Sequence, residues 1–134
     1  AAARRWRIRA AALGDPDSMN WLGDAAYEGR FGQPDFAAAR RWYGDAAKAG
    51  APDGAIRLAK AYSFGGRVEP DPAEAHAWWL RAAEAGSGEA QFQVAMAYLS
   101  GIGVPADQRA GERWLAAARA SGFAVGDTAL PASR

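Results

Sequence analysis

The chain has 134 residues, half of them hydrophobic, which is enough for one domain with a sizeable core and argues against intrinsic disorder. Its 16 Lys and Arg against 15 Asp and Glu leave a formal net charge of +1, which gives no general reason to expect a polyanionic partner. Cysteine is absent, so disulfides and thiolate metal sites are excluded, and no apolar run approaches the roughly 20 residues of a membrane-spanning helix. We therefore expect a soluble domain, with cytoplasm and extracytoplasmic compartments both open. Because it begins at Ala1 rather than Met, we also expect an excised piece of a longer protein.

Tryptophan recurs every 36 residues along the chain, and other residue types keep the same register without a gap. The recurring positions are Trp6, Trp42, Trp78 and Trp114; Gly14, Gly50, Gly86 and Gly122; Asp35, Asp71 and Asp107; and Leu22, Leu58 and Val94. A register shared by several residue types indicates tandem structural units that stack on one another.

Residues 1–14 are the Arg-rich start of the chain, with Arg4, Arg5, Arg7 and Arg9 and no acid. In the repeat register they match the segment around Trp42, so they are predicted to form helix B of a leading unit whose helix A is missing. Trp6 is then expected to pack against the first complete unit. Two interpretations of the positive charge stay open: the arginines cap the end of the repeat array, or they attract an acidic partner to the array.

Three complete units follow at 15–50, 51–86 and 87–122, and each is predicted to contain two helices, A and B. In the second unit, helix A is predicted from Pro52 to Phe64, ended by the two glycines that follow. Asp71 caps helix B, Glu74 completes a capping box, and Gly86 ends the helix. Residues 123–134 are either a capping segment or the start of a fourth unit.

The recurring residues resemble the pattern of the Sel1-like repeat family, relatives of the tetratricopeptide repeats. The third unit carries it most fully, with Ala90, Val94, Ala95, Tyr98, Gly101, Gly103, Val104, Asp107 and Trp114, and the second unit has Tyr62 at the position of Tyr98. This resemblance implies an all-α fold, a right-handed superhelix of antiparallel helix pairs with 36-residue repeats. It also implies adaptor or scaffold roles in protein complexes.

Catalytic, metal and cofactor sites are not predicted. The single histidine, His76, shares its repeat position with Arg40 and Glu112 and is therefore expected to face solvent. The acidic residues recur at helix starts, where capping and the helix dipole account for them. Since no nucleophile motif occurs either, the chain is predicted not to be an enzyme.

The function is predicted from the positions at which the units differ, because in solenoids the shared residues hold the stack and the variable ones meet partners. One stripe of helix A carries such residues, which we call the helix-A stripe: Trp21, Asp24, Glu28, Arg57, Lys60, Phe64, Gln93 and Met96. It predicts a non-catalytic module that binds a polypeptide on the concave helix-A face. The alternatives are an accessory subunit packed permanently in a larger complex and, disfavoured by the overall charge, nucleic-acid binding through the Arg-rich N-terminal helix.

Overall fold

The computed structural model describes residues 2–64 and 68–124 of the chain. Seven α-helices lie in these ranges, and no residue in them belongs to a β-strand. In chain order they are α1 (Ala2–Ala12), α2 (Pro16–Glu28), α3 (Phe36–Lys48), α4 (Pro52–Phe64), α5 (Pro72–Glu84), α6 (Gly88–Ser100) and α7 (Gln108–Ala120). Helix A of the second unit thus spans the predicted residues. The glycines predicted to end it, and residues 125–134 of the C-terminal segment, lie outside the described residues.

Each helix packs mainly against its neighbours in the chain. The most extensive contacts are within pairs, α2 with α3, α4 with α5 and α6 with α7, and successive pairs meet through α3 with α4 and α5 with α6. An array in which each unit touches the next and few others is an α-solenoid. The all-α repeat fold predicted from the sequence is confirmed.

The recurring aspartates begin the B helices. The side chains of Asp35, Asp71 and Asp107 each accept a hydrogen bond from the backbone N–H three residues on, at 3.0, 3.2 and 3.1 Å. Each bond satisfies one unpaired amide of the first turn. The backbone N–H of each aspartate donates to a carbonyl of the preceding A helix at 2.8–2.9 Å. That amide is therefore already used, and the predicted capping box is wrong: the carboxylate of Glu74 instead accepts from Arg40 at 2.8 Å.

The recurring glycines follow the B helices. Gly14, Gly50, Gly86 and Gly122 have φ between +87° and +102°, a conformation that residues with a Cβ rarely adopt. The N–H of the residue after each glycine donates back to a recurring alanine carbonyl at 3.0–3.1 Å; these acceptors are Ala10, Ala46, Ala82 and Ala118. This is the Schellman pattern of a helix end. One turn geometry therefore connects every B helix to the next segment.

The core lies along one row of each B helix, spaced i, i+4 and i+7. The buried rows are Ala39, Tyr43 and Ala46 in α3; Ala75, Trp79 and Ala82 in α5; and Gly111, Leu115 and Ala118 in α7. Trp79 is only 5% exposed and lies in one cluster with Ala59 of α4 and Val94 of α6. Trp79 therefore lies between the second and third units. Trp78 is half-buried and packs against the same cluster and against the one that contains Tyr43 and Leu58.

Trp6 does not pack against the first complete unit as predicted, because its side chain is 63% exposed. Helix α1 rests on α2 through Ala11, on the opposite side of the helix from Trp6. The equivalent Trp42 is half-buried and packs on Met19 and Leu22 of α2, the A helix of its own unit, whereas no A helix precedes α1 in this structure.

Candidate functional site

Most of the helix-A stripe lines two cavities. One, of about 330 Å³, opens between α2 and α4, and the other, of about 220 Å³, lies between α4, α5 and α6. Five positions that line the first recur 36 residues later in the second: Tyr27 and Ser63, Tyr43 and Trp79, Arg57 and Gln93, Lys60 and Met96, and Ala61 and Ala97. The α2–α4 cavity and the α4–α6 cavity are therefore the same feature of the repeat, one unit apart.

The α2–α4 cavity contains a buried polar contact. The carboxylate of Asp24 accepts a hydrogen bond from the hydroxyl of Tyr43 and forms an ion pair with Arg57 at 3.1 Å. Burial and the Asp24 carboxylate raise the pKa of Tyr43, so its hydroxyl stays protonated and acts as the donor. This contact ties α3 to α2 and places the Arg57 guanidinium at the cavity wall.

Two further ion pairs border the α2–α4 cavity. Lys60 pairs with Glu89 of α6 at 3.2 Å, and Glu28 pairs with Arg30 at 2.8 Å. All four side chains are between 39% and 53% exposed. Exposed pairs of this kind contribute little to stability. Their charges can therefore exchange partners at small cost when a ligand arrives.

The α4–α6 cavity has a different lining, in which no Asp, Glu, Lys or Arg takes part among the residues that the structure describes. Its polar lining residues are Ser63, His76, Gln93 and Ser100, and its largest apolar ones are Trp79, Met96 and Ile102. Two equivalent cavities thus present unlike chemistry, one charged and the other neutral.

His76 is the residue that sequence reasoning misplaced. It was expected to face solvent because charged residues, Arg40 and Glu112, occupy the equivalent positions, but it is 7% exposed. The ring of Tyr98 meets it edge-on at 5.1 Å, and Ile102 in the loop after α6 lines the same cavity. That loop approaches the start of α5 so closely that a Cβ on Gly103 would lie 2.5 Å from a backbone carbonyl.

Burial has two consequences for the His76 imidazole. It lowers the pKa of His76, so the ring is neutral at pH 7. In addition, its Nδ1 is buried and has no hydrogen-bond partner among the described residues. The sequence carries one signal for this contact: Arg40 and Tyr62 stand 36 residues before His76 and Tyr98, and the members of each pair are 22 residues apart.

Two members of the helix-A stripe lie outside both cavities. Trp21 packs against Phe31, with 5.8 Å between ring centroids, and the guanidinium groups of Arg7 and Arg30 lie over its ring at 5.5 and 5.8 Å. Phe64, at the end of α4, is 76% exposed. The structure therefore brings six of the eight predicted residues together around the cavities.

The arginines of α1 contact aromatic rings of the first unit. The guanidinium of Arg4 lies 4.7 Å from the ring centroid of Phe31, and that of Arg7 lies 5.5 Å from the rings of both Trp6 and Trp21. Cation–π contacts of this kind hold the helix on its neighbour. Part of the basic start is thus used within the domain.

Metal and membrane chemistry find no support in the part of the chain that is described. In 2–64 and 68–124, no group of three or more His, Cys, Asp or Glu side chains is placed to hold a metal ion. Within those same ranges, no helix combines the length and apolar character required to cross a membrane.

Comparisons with known proteins place these observations in a family. The family model of the Sel1 repeat matches residues 16–50, 52–87 and 88–123. A Sel1 repeat protein from Oxalobacter formigenes is 29% identical with a TM-score of 0.73, covering 92% of this chain and 90% of that one. A protective antigen with an SLR fold, present in uropathogenic Escherichia coli strains, is 30% identical with a TM-score of 0.76; the match covers 89% of this chain but 26% of the antigen.

The Helicobacter pylori cysteine rich protein B shares the fold at 16% identity, with a TM-score of 0.64 over 96% of this chain and 90% of that protein. No curated protein matches the sequence. Because the three matched repeats cover most of the residues, and because the helices, caps and turns recur in the same register, the chain belongs to the Sel1 repeat family.

Proposed function

We propose that the chain is a non-catalytic interaction module that binds a polypeptide partner along the helix-A stripe. Sel1 repeat proteins are generally protein-interaction scaffolds, and the face and the partner are our inference. The observation that carries it is the pair of repeat-equivalent cavities on successive A helices, with unlike linings. An elongated ligand can occupy both, whereas a compact substrate would need reacting groups gathered in one place.

The energetics of the stripe also suit a polypeptide. Phe64 offers an exposed aromatic ring beside the cavities, and buried aromatic anchors contribute strongly to protein interfaces. The ion pairs Glu28–Arg30 and Lys60–Glu89 are half-exposed, so exchanging them for pairs with a partner costs little. Apolar anchors with a rim of exchangeable charges are typical of non-obligate interfaces.

The test is a charge reversal at the junction of α4 with its neighbours, the double variant Arg57→Glu, Lys60→Glu. Captured polypeptides from a lysate of the source cells are identified and quantified by mass spectrometry. We expect the reversal to reduce capture of specific partners at least about tenfold, because it places like charges beside Asp24 and Glu89 and repels the groups that the wild type attracts.

The matched control is Arg109→Glu, Arg113→Glu, which changes the net charge equally at two exposed positions of helix α7. Circular dichroism checks that both variants fold. Undiminished capture by a folded stripe variant, or equal loss in both variants, contradicts the helix-A stripe as the binding face.

One observation favours the accessory-subunit alternative. Trp6 and Leu13, seven residues apart on one face of the N-terminal segment, are 63% and 84% exposed. Permanent association through this face would bury both. Sedimentation analysis of the isolated chain distinguishes the two functions. A well-behaved monomer argues against permanent packing. Self-association that the double variant Trp6→Ser, Leu13→Ser abolishes supports it.

A further inference from the structure

We propose that the α4–α6 cavity receives a single tyrosine side chain of the polypeptide that binds the helix-A stripe. The inference rests on the proposed function and adds to it the residue type that this unit selects. Three properties of the cavity lead to it: its size, a lining whose described residues are uncharged, and a buried polar group without a partner among the described residues.

The size of the cavity limits what it can hold. Its volume is about 220 Å³, and pockets that bind drug-sized molecules span about 300–1,000 Å³. A single large side chain fits this space, whereas a nucleotide or an extended cofactor does not. The opening lies on the helix-A stripe, since Gln93 and Met96 form part of the wall. A side chain of a polypeptide lying along the stripe can therefore enter it.

The lining selects an uncharged aromatic side chain. None of the described residues of the wall is charged, so a buried carboxylate or ammonium group would find no counter-ion among them and would cost considerable free energy. Trp79 and Met96 provide an indole face and a thioether, both of which make favourable contacts with aromatic rings. Arg57 and Lys60 stand at the positions equivalent to Gln93 and Met96, so the α2–α4 cavity does not share this preference.

The polar groups select a ring with a hydroxyl. His76 lines the cavity at 7% exposure, and its Nδ1 has no partner in the described part of the chain. A neutral imidazole offers one donor and one acceptor, and a phenolic hydroxyl can serve either. Gln93 and Ser63 add an amide and a hydroxyl to the same wall. A tyrosine therefore suits both parts of the lining, the aromatic surface and the polar side chains of His76, Gln93 and Ser63, whereas phenylalanine and leucine suit only the first.

The experiment titrates the protein with the N-acetyl amides of tyrosine, phenylalanine, leucine and glutamate and follows ¹H–¹⁵N spectra. We expect saturable shifts at the Trp79 indole N–H and at the amides of Gln93, Met96 and Ala97. The tyrosine derivative should bind about three- to tenfold more tightly than the phenylalanine derivative, the range that one net hydrogen bond gives. The glutamate derivative should give no saturable shift. Equal affinity for tyrosine and phenylalanine, or shifts located elsewhere, overturns the proposal.

Two variants and one control locate the site. Ala97→Phe fills the cavity and should abolish binding of the tyrosine derivative. If that variant does not fold, His76→Phe serves, because it removes the unpaired nitrogen and should bring the tyrosine and phenylalanine affinities within twofold. Arg109→Met, at an exposed position of α7 that lines neither cavity, should leave the tyrosine affinity unchanged. Retained tyrosine preference in either cavity variant overturns the proposal.

The two proposals fail in different ways. If partner capture depends on Arg57 and Lys60 but the cavity shows no preference for tyrosine, the proposed function stands and this inference is wrong. If the cavity prefers tyrosine but the Arg57→Glu, Lys60→Glu variant captures partners as well as the wild type does, the helix-A stripe is not the binding face, and the proposed function is wrong.

Discussion

Helices α5 and α1 occupy the same register of the repeat, yet their equivalent side chains have opposite environments. In α5 the pair Trp78 and Trp79 is half-buried and buried, with Trp79 at 5% exposure. In α1 the equivalent pair is Trp6 and Arg7: Trp6 is 63% exposed, and Arg7 lies against the ring of Trp21. Identical register therefore does not give identical burial.

The cause is the number of neighbours. Helix α5 lies between α4 and α6, whereas α1 packs mainly on α2. A helix of this length buries its apolar face only against adjacent units, so a helix with one neighbour leaves a whole face in water. Arg7 at the core-row position suits that situation, because its stem packs on aromatic rings while its guanidinium stays solvated.

The largest expected effect is at the core row. Trp79→Ala should lower the free energy of unfolding by about 3–5 kcal/mol, because it removes the side chain that separates two units. Arg7→Ala, at the equivalent position of α1, should cost less than about 1 kcal/mol. Urea denaturation followed by circular dichroism measures both. Similar losses for the two variants would show that α1 is as well packed as α5.

A smaller difference is expected at the recurring tryptophans. Trp78→Ala should cost about 1–2 kcal/mol, since this half-buried ring loses part of its apolar contact and its contacts with Arg40 and Arg81. Trp6→Ala should change the free energy of unfolding by less than about 0.5 kcal/mol. Urea denaturation followed by circular dichroism again measures the free energy of unfolding of both variants. A cost for Trp6→Ala as large as that for Trp78→Ala would mean that a partner, such as a second copy of the chain, covers Trp6 in solution.

The smallest effect is a pH dependence confined to α5. Burial lowers the pKa of His76, so the folded protein keeps this ring neutral while the unfolded chain takes up a proton as the pH falls below about 6.5. The unfolded state then binds more protons, and we expect stability to fall between pH 7 and pH 5.5. The equivalent residue in α1 is Arg4, so α1 has no histidine at this position.

The control for the pH dependence is His76→Gln, which should flatten this part of the stability profile. The carboxylates affect the stability mainly at lower pH, and they do so equally in the wild type and the variant. A profile between pH 7 and pH 5.5 that is unchanged by His76→Gln would contradict the burial of the imidazole.

Much of the fold could be read from local chemistry. The bounds of helix α4 and the side-chain cap of Asp71 follow from which residues can satisfy free amides, and these act within a few positions of the chain. The recurring glycines could be read in the same way, because a positive φ at a helix end depends only on the residue at that position. The reciprocal bond of Glu74 was predicted wrongly, because an arginine from the preceding B helix competes for its carboxylate.

The sequence alone determined the unit length, the helices and most of their ends, since each depends on neighbouring residues or on repetition. Only the tertiary structure decided how far particular side chains are buried. His76 is buried beside Tyr98 of the next A helix, Trp79 is buried whereas Trp78 is half-buried, and Trp6 is exposed because α1 packs mainly on α2. Burial depends on what lies across space, and residues of the same repeat position meet different surroundings wherever their neighbours differ.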